Sequence, residues 1–360
     1  MITIQHPVSL NSSYPLNRLG KLEELLFFDI ETTGFSGEQD QLYLIGAIFW
    51  DKMESSWKLV QWFADTKEAE PECLEAFFAL LNDHPAAVHF NGDTFDIPFL
   101  LKRCRHYGIS QDFSQAKSMD IFRKIRPCRQ LLAMNSMKQK AVEDFLGIHR
   151  IDQYSGGELI QVYARYLISP DPQLFQLLIQ HNADDLTGMP AILPILCYRD
   201  MLDEKFSLSR QFLDSSSQHP VLTLEYETIP VPVPLHRQFP QGNFDLEGNR
   251  LLCRITLLQG ELKYFYPNYK DYYYLPAEDM AVHKSVGAYV AKSARRQATA
   301  KTCYGKQTGL FLPQFQGLWT PVFRPEYASP QIYALYQPDM FQETEKADQY
   351  LRQILSLAQP

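Results

Sequence analysis

Six cysteines, Cys73, Cys104, Cys128, Cys197, Cys253 and Cys303, are scattered through the 360 residues without a Cys-x-x-Cys pair. Neither a zinc cluster nor a secreted disulfide framework is suggested, and reduced thiols fit a cytoplasmic protein. No run reaches the roughly 18 to 20 apolar residues that a spanning helix needs, and Met1 to Leu22 carries no apolar segment behind a basic start. The expectation is a soluble protein with no membrane partner. Positive charge is also short: 34 Lys and Arg stand against 42 Asp and Glu, a net charge of −8. That balance argues against a protein that coats nucleic acid by bulk electrostatics. It leaves room for a carboxylate-rich site offset by bound cations, with local basic patches. No internal repeat is visible.

What is present suits an ordinary globular protein, with 45% hydrophobic and 21% charged residues. The length suggests two domains. Leu25–Ile30 is a short, nearly continuous apolar run, as expected of a buried strand. Gln41–Trp50 and Ser56–Ala64 follow as strands around the charged turn Asp51–Glu54. Glu70–Leu81 has helical spacing. Ala86–Phe90 is a strand ending at the turn pair Asn91-Gly92. Phe95–Tyr107 reads as a helix, with Pro98 tolerable in its first turn. Ser136–Leu146, Gly157–Tyr166 and Pro172–Met189 read as further helices, the first closed by Gly147. Strands first, then alternating helices and strands, predict an α/β domain with a mixed sheet over residues 20–200. Asp214–Gln218 is a linker candidate. The remainder, 218–360, is expected to be a second, partly β domain: prolines interrupt a β-like stretch, Arg250–Tyr266 alternates like a hairpin, and Gln342–Leu357 suits a terminal helix.

Three segments carry chemistry. Asp29-Ile30-Glu31-Thr32-Thr33-Gly34 ends the first strand, where positions i and i+2 share a face, so Asp29 and Glu31 can approach one metal ion. Strand-end acids are also common in plain loops. His89-Phe90-Asn91-Gly92-Asp93-Thr94-Phe95-Asp96 runs from a strand through a glycine turn into a helix. Asp93 is read there as a helix cap or first-turn acid favoured by the dipole, whereas Asp96, between Phe95 and Ile97, is less natural as a solvated residue. His181 and Asp185 are spaced i, i+4 on one helix face. Alone, that pair would be a surface ion pair.

Together the three segments resemble the DEDD superfamily of ribonuclease H-like exonucleases. The branch most similar to them includes family-B polymerase proofreading domains and bacterial ribonuclease H-like proteins. Asp29-Ile-Glu31-Thr-Thr-Gly resembles the first motif, Asn91-Gly-x-x-Phe-Asp96-x-Pro-Phe-Leu the second, and His181-Asn-x-x-Asp185 the third. Gly147-Ile148 and Ser155-Gly156 resemble the connection between the last two. The resemblance spans roughly residues 24–198. It departs from the pattern at His181, which stands at the spacing of the tyrosine class, one residue nearer to the aspartate than in the histidine class. Asp184 is a substitute for Asp185, which fits the spacing better. The resemblance implies a ribonuclease H-like fold and 3′→5′ hydrolysis of a DNA or RNA strand with two Mg²⁺ or Mn²⁺ ions. Hard ions want oxygen ligands, which accounts for carboxylates rather than thiols. It also implies that Asp29 bridges the ions, that Glu31 and Asp185 hold the one that activates water, and that Asp96 attends the leaving group. His181 is the implied general base, imidazole being the side chain that changes charge near neutral pH.

Between Met280 and Arg324 there is no acid, yet Lys284, Lys292, Arg295, Arg296, Lys301, Lys306 and Arg324 occur among Tyr289, Tyr304, Phe311, Phe315, Trp319 and Phe323. Cations that track phosphates and rings that stack bases suit a single-strand groove, and a solvated face over core aromatics is the alternative. Lys292, Arg295 and Arg296, with Asn91 in the first domain, are the candidate nucleic-acid contacts. Arg123, Lys124, Arg126 and Arg129 form a second basic cluster that a solvated loop explains almost as well. An active exonuclease competes with a non-catalytic nucleic-acid-binding or scaffolding protein and with a phosphodiesterase for short oligonucleotides. The presence of all four acids favours the first.

Overall fold

The computed structural model describes residues 1–148, 156–216 and 219–359. Ser155 of the second connecting pair, and Ser217 and Gln218 of the linker candidate, lie outside them. The chain divides into two compact units, Met1–Arg129 with Met134–Asp200, and Gln130–Ala133 with Met201–Pro360.

The first unit is built on a six-stranded mixed sheet. Its strands are β1 (Ile2–Pro7), β2 (Leu25–Thr32), β3 (Leu42–Asp51), β4 (Ser56–Phe63), β5 (Ala86–His89) and β6 (Lys117–Asp120), in the spatial order β1-β4-β3-β2-β5-β6. β2, β5 and β6 run parallel, and β3 lies antiparallel to β2 and to β4. Helices α1 (Glu70–Asn82), α2 (Asp96–Tyr107), α3 (Ile121–Ile125), α5 (Gln139–Phe145), α6 (Gly156–Ile168) and α7 (Pro172–Ile192) complete the unit, while α4 (Arg129–Leu132) and α8 (Leu196–Asp203) have residues in each unit. This is the ribonuclease H-like mixed sheet with flanking helices that the resemblance implied.

Strand alternation sorts the two faces. Leu26, Phe28 and Ile30 of β2 enter one core with Phe77 and Phe78 of α1 and Phe99 and Leu100 of α2. Tyr43, Leu44 and Phe63 enter the opposite core with Tyr163 of α6 and Leu178 and Ile179 of α7. A sheet covered on both faces reads as nearly continuous apolar runs, which is why β2 and β3 were legible. β1 escaped notice because most of it is exposed on the sheet edge. β6 escaped because Lys117-Ser118-Met119-Asp120 has no apolar run.

A buried polar clamp fixes α2 against its neighbours. Glu70 accepts from Arg103 Nε at 2.6 Å and Nη2 at 2.7 Å, from Leu42 N at 3.0 Å and from Tyr107 Oη at 2.9 Å, joining α1, α2 and β3. Arg103 also donates to Gly37 O.

The second unit is mostly β. An antiparallel five-stranded sheet has the order β7-β8-β11-β10-β9, formed by Ser207–Asp214, Val221–Glu227, Arg250–Thr256, Gly242–Glu247 and Leu235–Phe239. A small closed barrel takes β12 (Leu258–Phe265), β16 (Tyr304–Gln314), β18 (Ile332–Leu335) and β17 (Phe323–Arg324). Three short strands, β13 (Tyr272–Leu275), β14 (Met280–His283) and β15 (Arg296–Gln297), make a third sheet, and α9 (Lys284–Gly287) and α10 (Thr344–Ser356) finish the unit. The terminal helix is as the sequence predicts. The Arg250–Tyr266 hairpin is not: β11 pairs with β10 and β8, while β12 pairs with β16 and β17. Only Leu257 separates β11 from β12, too little for a hairpin turn, and its side chain is buried. Asp214, read as the start of a linker, is the last residue of β7.

Candidate metal centre

With Leu26, Phe28 and Ile30 facing one core, the period of two turns Asp29 and Glu31 to the other face, beneath α7. α7 presents His181, Asn182 and Asp185 there. One ligand atom each from Glu31, His181 and Asp185 lie within 4.8 Å of one another. His181 Nε2 is 3.5 Å from Asp185 Oδ2 and 3.8 Å from Glu31 Oε1. Tyr43 Oη donates to Glu31 Oε2 at 3.5 Å, its ring stacked on Tyr163 at 4.3 Å. Asn182 Nδ2 donates to Asp29 Oδ2 at 2.9 Å.

Asp96 arrives from the end of β5. The turn Asn91–Phe95 must reverse the chain within a few residues, and Asn91 takes a left-handed φ of 65° to do so. A Cβ on Gly92 would lie 2.5 Å from His89 Nδ1, so only glycine fits there, its N–H donating to that nitrogen at 3.0 Å. Asp120, at the end of β6, accepts from the backbone N–H groups of Asn91, Asp93 and Arg123 at 3.0, 3.2 and 3.1 Å. α2 then begins on Asp96 itself.

Electrostatics mark the cluster. The Asp29 carboxyl is held well above its usual range, first by burial and then by Asp185, Glu31 and Asp96. Burial pushes Asp96 up to about 7; backbone N–H groups of Asp96 and Ile30 oppose this, and Asp120 and Asp185 add to it. Four carboxylates on three elements thus share one site in which ionisation is costly without a counter-charge. A set of carboxylate oxygens with one buried imidazole among them fits hard divalent cations.

Of the five residues expected at the site, Glu31, His181 and Asp185 bring ligand atoms within 4.8 Å of one another, and Asp29 and Asp96 interact with this group electrostatically. Asp184 is not among them: Gln180 Nε2 donates to its carboxylate at 2.7 Å, away from the cluster. Asp93 is not a cap of α2. It pairs with Arg123 Nη1 at 3.0 Å and accepts from Ser118 Oγ, because α2 starts three residues later with Phe95 at the cap position. Asn91 shapes the turn, its Oδ1 accepting from Thr94 Oγ1 at 2.8 Å. Asp120 and Asn182 were missed. Asp120 sits on a strand without a pattern, and Asn182 is an amide beside the more conspicuous His181. Phe35, just past the first segment, is 92% exposed with its ring 6.1 Å from that of Phe95.

In the second unit, Arg295 is a structural residue rather than a free cation. It donates to Gly287 O and lies 4.5 Å over the Tyr273 ring, with Lys284 at 5.4 Å from the same ring. Lys292 and Arg296 are exposed. Of the interleaved rings, Tyr289 is 92% exposed, whereas Tyr304, Phe311, Trp319 and Phe323 are buried. Phe315 is half-buried against Phe239 and Tyr350, so the aromatic groove suggested by the sequence contracts to one fully exposed ring on a basic loop.

Residues 26–196 match the RNase_H superfamily. No curated protein matches the sequence. Among solved structures, the chain is similar to the family B DNA polymerase of the hyperthermophilic archaeon Pyrobaculum calidifontis, at 11% identity and a TM-score of 0.38 over 69% of this chain and 35% of the polymerase. It is similar to a nuclease in its apo form at 16% identity and a TM-score of 0.33, over 53% of this chain and 79% of that one. A zinc-bound E. coli exonuclease I complex with single-stranded DNA is similar at 18% identity and a TM-score of 0.28, over 44% of this chain and 43% of that one. The chain thus spans 35% of the polymerase and 43% of exonuclease I.

Proposed function

We propose, from the match of residues 26–196 to the RNase_H superfamily, that this protein is a metal-dependent 3′→5′ exonuclease acting on single-stranded DNA or RNA. The observation that carries the reading is the convergence of Asp29, Glu31, Asp96 and Asp185, where burial first and neighbouring carboxylates second raise Asp29 and Asp96. Two divalent ions, Mg²⁺ or Mn²⁺, would supply a nucleophilic hydroxide and neutralise charge at a scissile phosphodiester. Asp29, on which the charges of the other three acids all act, would be shared by both ions. Glu31 and Asp185 would hold the ion on the water side, and Asp96 the ion on the leaving-group side. His181, whose Nε2 lies 3.8 Å from Glu31 Oε1 and 3.5 Å from Asp185 Oδ2, would take the water proton as the oxygen bonds to phosphorus. The bond to the 3′-oxygen then breaks, that oxygen takes a proton from solvent water to end the shortened strand in a 3′-hydroxyl, and a nucleoside 5′-monophosphate leaves. Phe35 offers an exposed face on which a terminal base can stack. Lys292 and Arg296, with Tyr289, offer a second contact to the strand.

The test is shortening of 5′-labelled and 3′-labelled single strands of DNA and RNA with Mg²⁺, Mn²⁺ or EDTA. Mononucleotides released from the 3′ end, lost in EDTA and in Asp29→Asn, support the reading. Strand binding without shortening would reassign the protein as a non-catalytic nucleic-acid binder, and normal turnover by a folded Asp29→Asn protein would reject the metal site.

A further inference from the structure

Asp29, Gly46 and Gln61 stand side by side across three strands: Asp29 of β2 pairs with Gly46 of β3, and Gly46 with Gln61 of β4. On the face that Asp29 shares, the middle position of this row has no side chain. Asn182 of α7, fully buried, fills the gap. Its Nδ2 donates to Asp29 Oδ2 at 2.9 Å, and its Oδ1 accepts from Gln61 Nε2 at 2.9 Å. Gln61 Nε2 also donates to Ile179 O at 2.9 Å, one turn earlier on α7, so the glutamine is anchored independently of the asparagine. The fit admits nothing larger than glycine in the middle. A Cβ on residue 46 would lie 2.0 Å from Asn182 Oδ1 and 2.4 Å from Leu186 Cδ1.

We infer that Asn182 is a positioning residue for Asp29, seated by the absence of a side chain at Gly46 and oriented by Gln61. The inference rests on the metal-site reading of Asp29. The amide flip is decided by the network: Gln61 Nε2 must face two acceptors, which leaves Asn182 Oδ1 toward Gln61 and Asn182 Nδ2 toward the carboxylate. A carboxylate at the end of a short side chain rotates unless a neighbour holds it. Here the donor holds one oxygen while adding no charge to a site already crowded with acids. An aspartate at 182 would bring a fifth negative charge, and an alanine would leave Asp29 free to turn toward solvent. Partners that orient a metal ligand in this way typically contribute about 10–100-fold to affinity or activity.

The experiment is calorimetric titration of Mn²⁺ alone into the full-length protein, comparing wild type, Asn182→Ala, Gly46→Ala and Gln61→Met. Cleavage of the p-nitrophenyl ester of thymidine 5′-monophosphate is measured in parallel. Asn182→Ala removes the donor, and Gly46→Ala displaces it without touching any carboxylate. Both should weaken Mn²⁺ binding by about 10–100-fold and lower kcat at saturating Mn²⁺. Gln61→Met should act in the same direction and less strongly, since Asn182 remains and only its orientation is loosened. Circular dichroism establishes that each variant is folded; if Gly46→Ala does not fold, Asn182→Ala and Gln61→Met carry the test. A wild type that takes up Mn²⁺ beside a folded Asn182→Ala protein with the same affinity and kcat overturns the inference alone. A wild type that takes up no Mn²⁺ overturns the metal-site reading and the inference with it.

Discussion

Asp96 and Asp29 are aspartates held in a folded site against their preference to ionise, and their protons link stability to pH. The folded-state value of Asp96, about 7, lies above the ordinary 3.8. A raised carboxyl contributes stability that is complete below the unfolded value and lost as pH rises through the folded one. Metal-free protein should therefore lose stability between about pH 4 and 7 from this source. Mg²⁺ should raise Tm clearly at about pH 8 and little at about pH 5, because a cation binds only the ionised cluster. In EDTA at the higher pH, Asp29→Asn should raise Tm by roughly 2–4 °C, the shift that about 1 kcal/mol of relieved repulsion gives. Differential scanning fluorimetry at both pH values checks this, and equal Mg²⁺ effects at both would contradict it. His181 makes a different prediction. If its imidazole moves the water proton, His181→Ala should lower kcat roughly 10²–10⁴-fold while Mn²⁺ affinity changes only a few-fold. Full recovery of rate at high Mn²⁺ would make His181 a support of metal binding instead.

At the scale of elements, the site depends on clamps that hold α2 and the β5–α2 turn. Arg103 and Glu70 are almost completely buried, and their paired charges join α2 to α1 and β3. Removing one partner strands the other charge in the core, so Glu70→Ala should cost about 3–5 kcal/mol in urea unfolding. Arg103→Met with Glu70→Leu together should cost far less, since no charge is left alone. Asp120 clamps the turn more locally. Asp120→Ala removes the cap of α3, for about 0.5–2 kcal/mol, and frees the amides of Asn91 and Asp93. Hydrogen exchange at those two amides should accelerate while exchange in β2 and β3 stays unchanged. Uniform acceleration throughout the unit would mean that Asp120 only stabilises globally. The elements carrying these clamps were partly legible: α1 and α2 show helical spacing. The clamps themselves were not, because Glu70 and Arg103 stand 33 positions apart and each looks like an ordinary surface charge.

For the whole molecule, a net charge of −8 coexists with an acid-free loop that displays Lys284, Lys292 and Arg296 around an exposed Tyr289. Among the described residues, no carboxylate forms an ion pair with these three cations. If the loop binds single strands, reversing all three to Glu should lower affinity and make the log–log salt dependence shallower by about 2. Tyr289→Ala should cost about 1–3 kcal/mol of binding. Fluorescence anisotropy with a labelled oligothymidylate in EDTA isolates this from cleavage, and an unchanged salt slope would remove the loop from the binding surface. Arg295 belongs outside that test because its guanidinium is spent on Gly287 and Tyr273.

By itself the sequence determined the order of β2 to β5 and of α1, α2, α5, α6 and α7, since apolar runs and helical periodicity survive without tertiary information. It also determined the acid-bearing segments, because spacing of two on a strand and four on a helix places each pair on one face. Tertiary structure decided what lies between those segments. The strand register that sets Asp29 beside Gly46 and Gln61, and the seat this leaves for Asn182, joins residues up to 153 positions apart. Tertiary structure also separated β11 from β12, put Tyr304, Phe311, Trp319 and Phe323 of the acid-free stretch into core, and gave Arg295 its partners. Local sequence encodes which face a side chain takes on its own element, but the neighbour across that face is set by packing, and packing is where the positioning of this site resides.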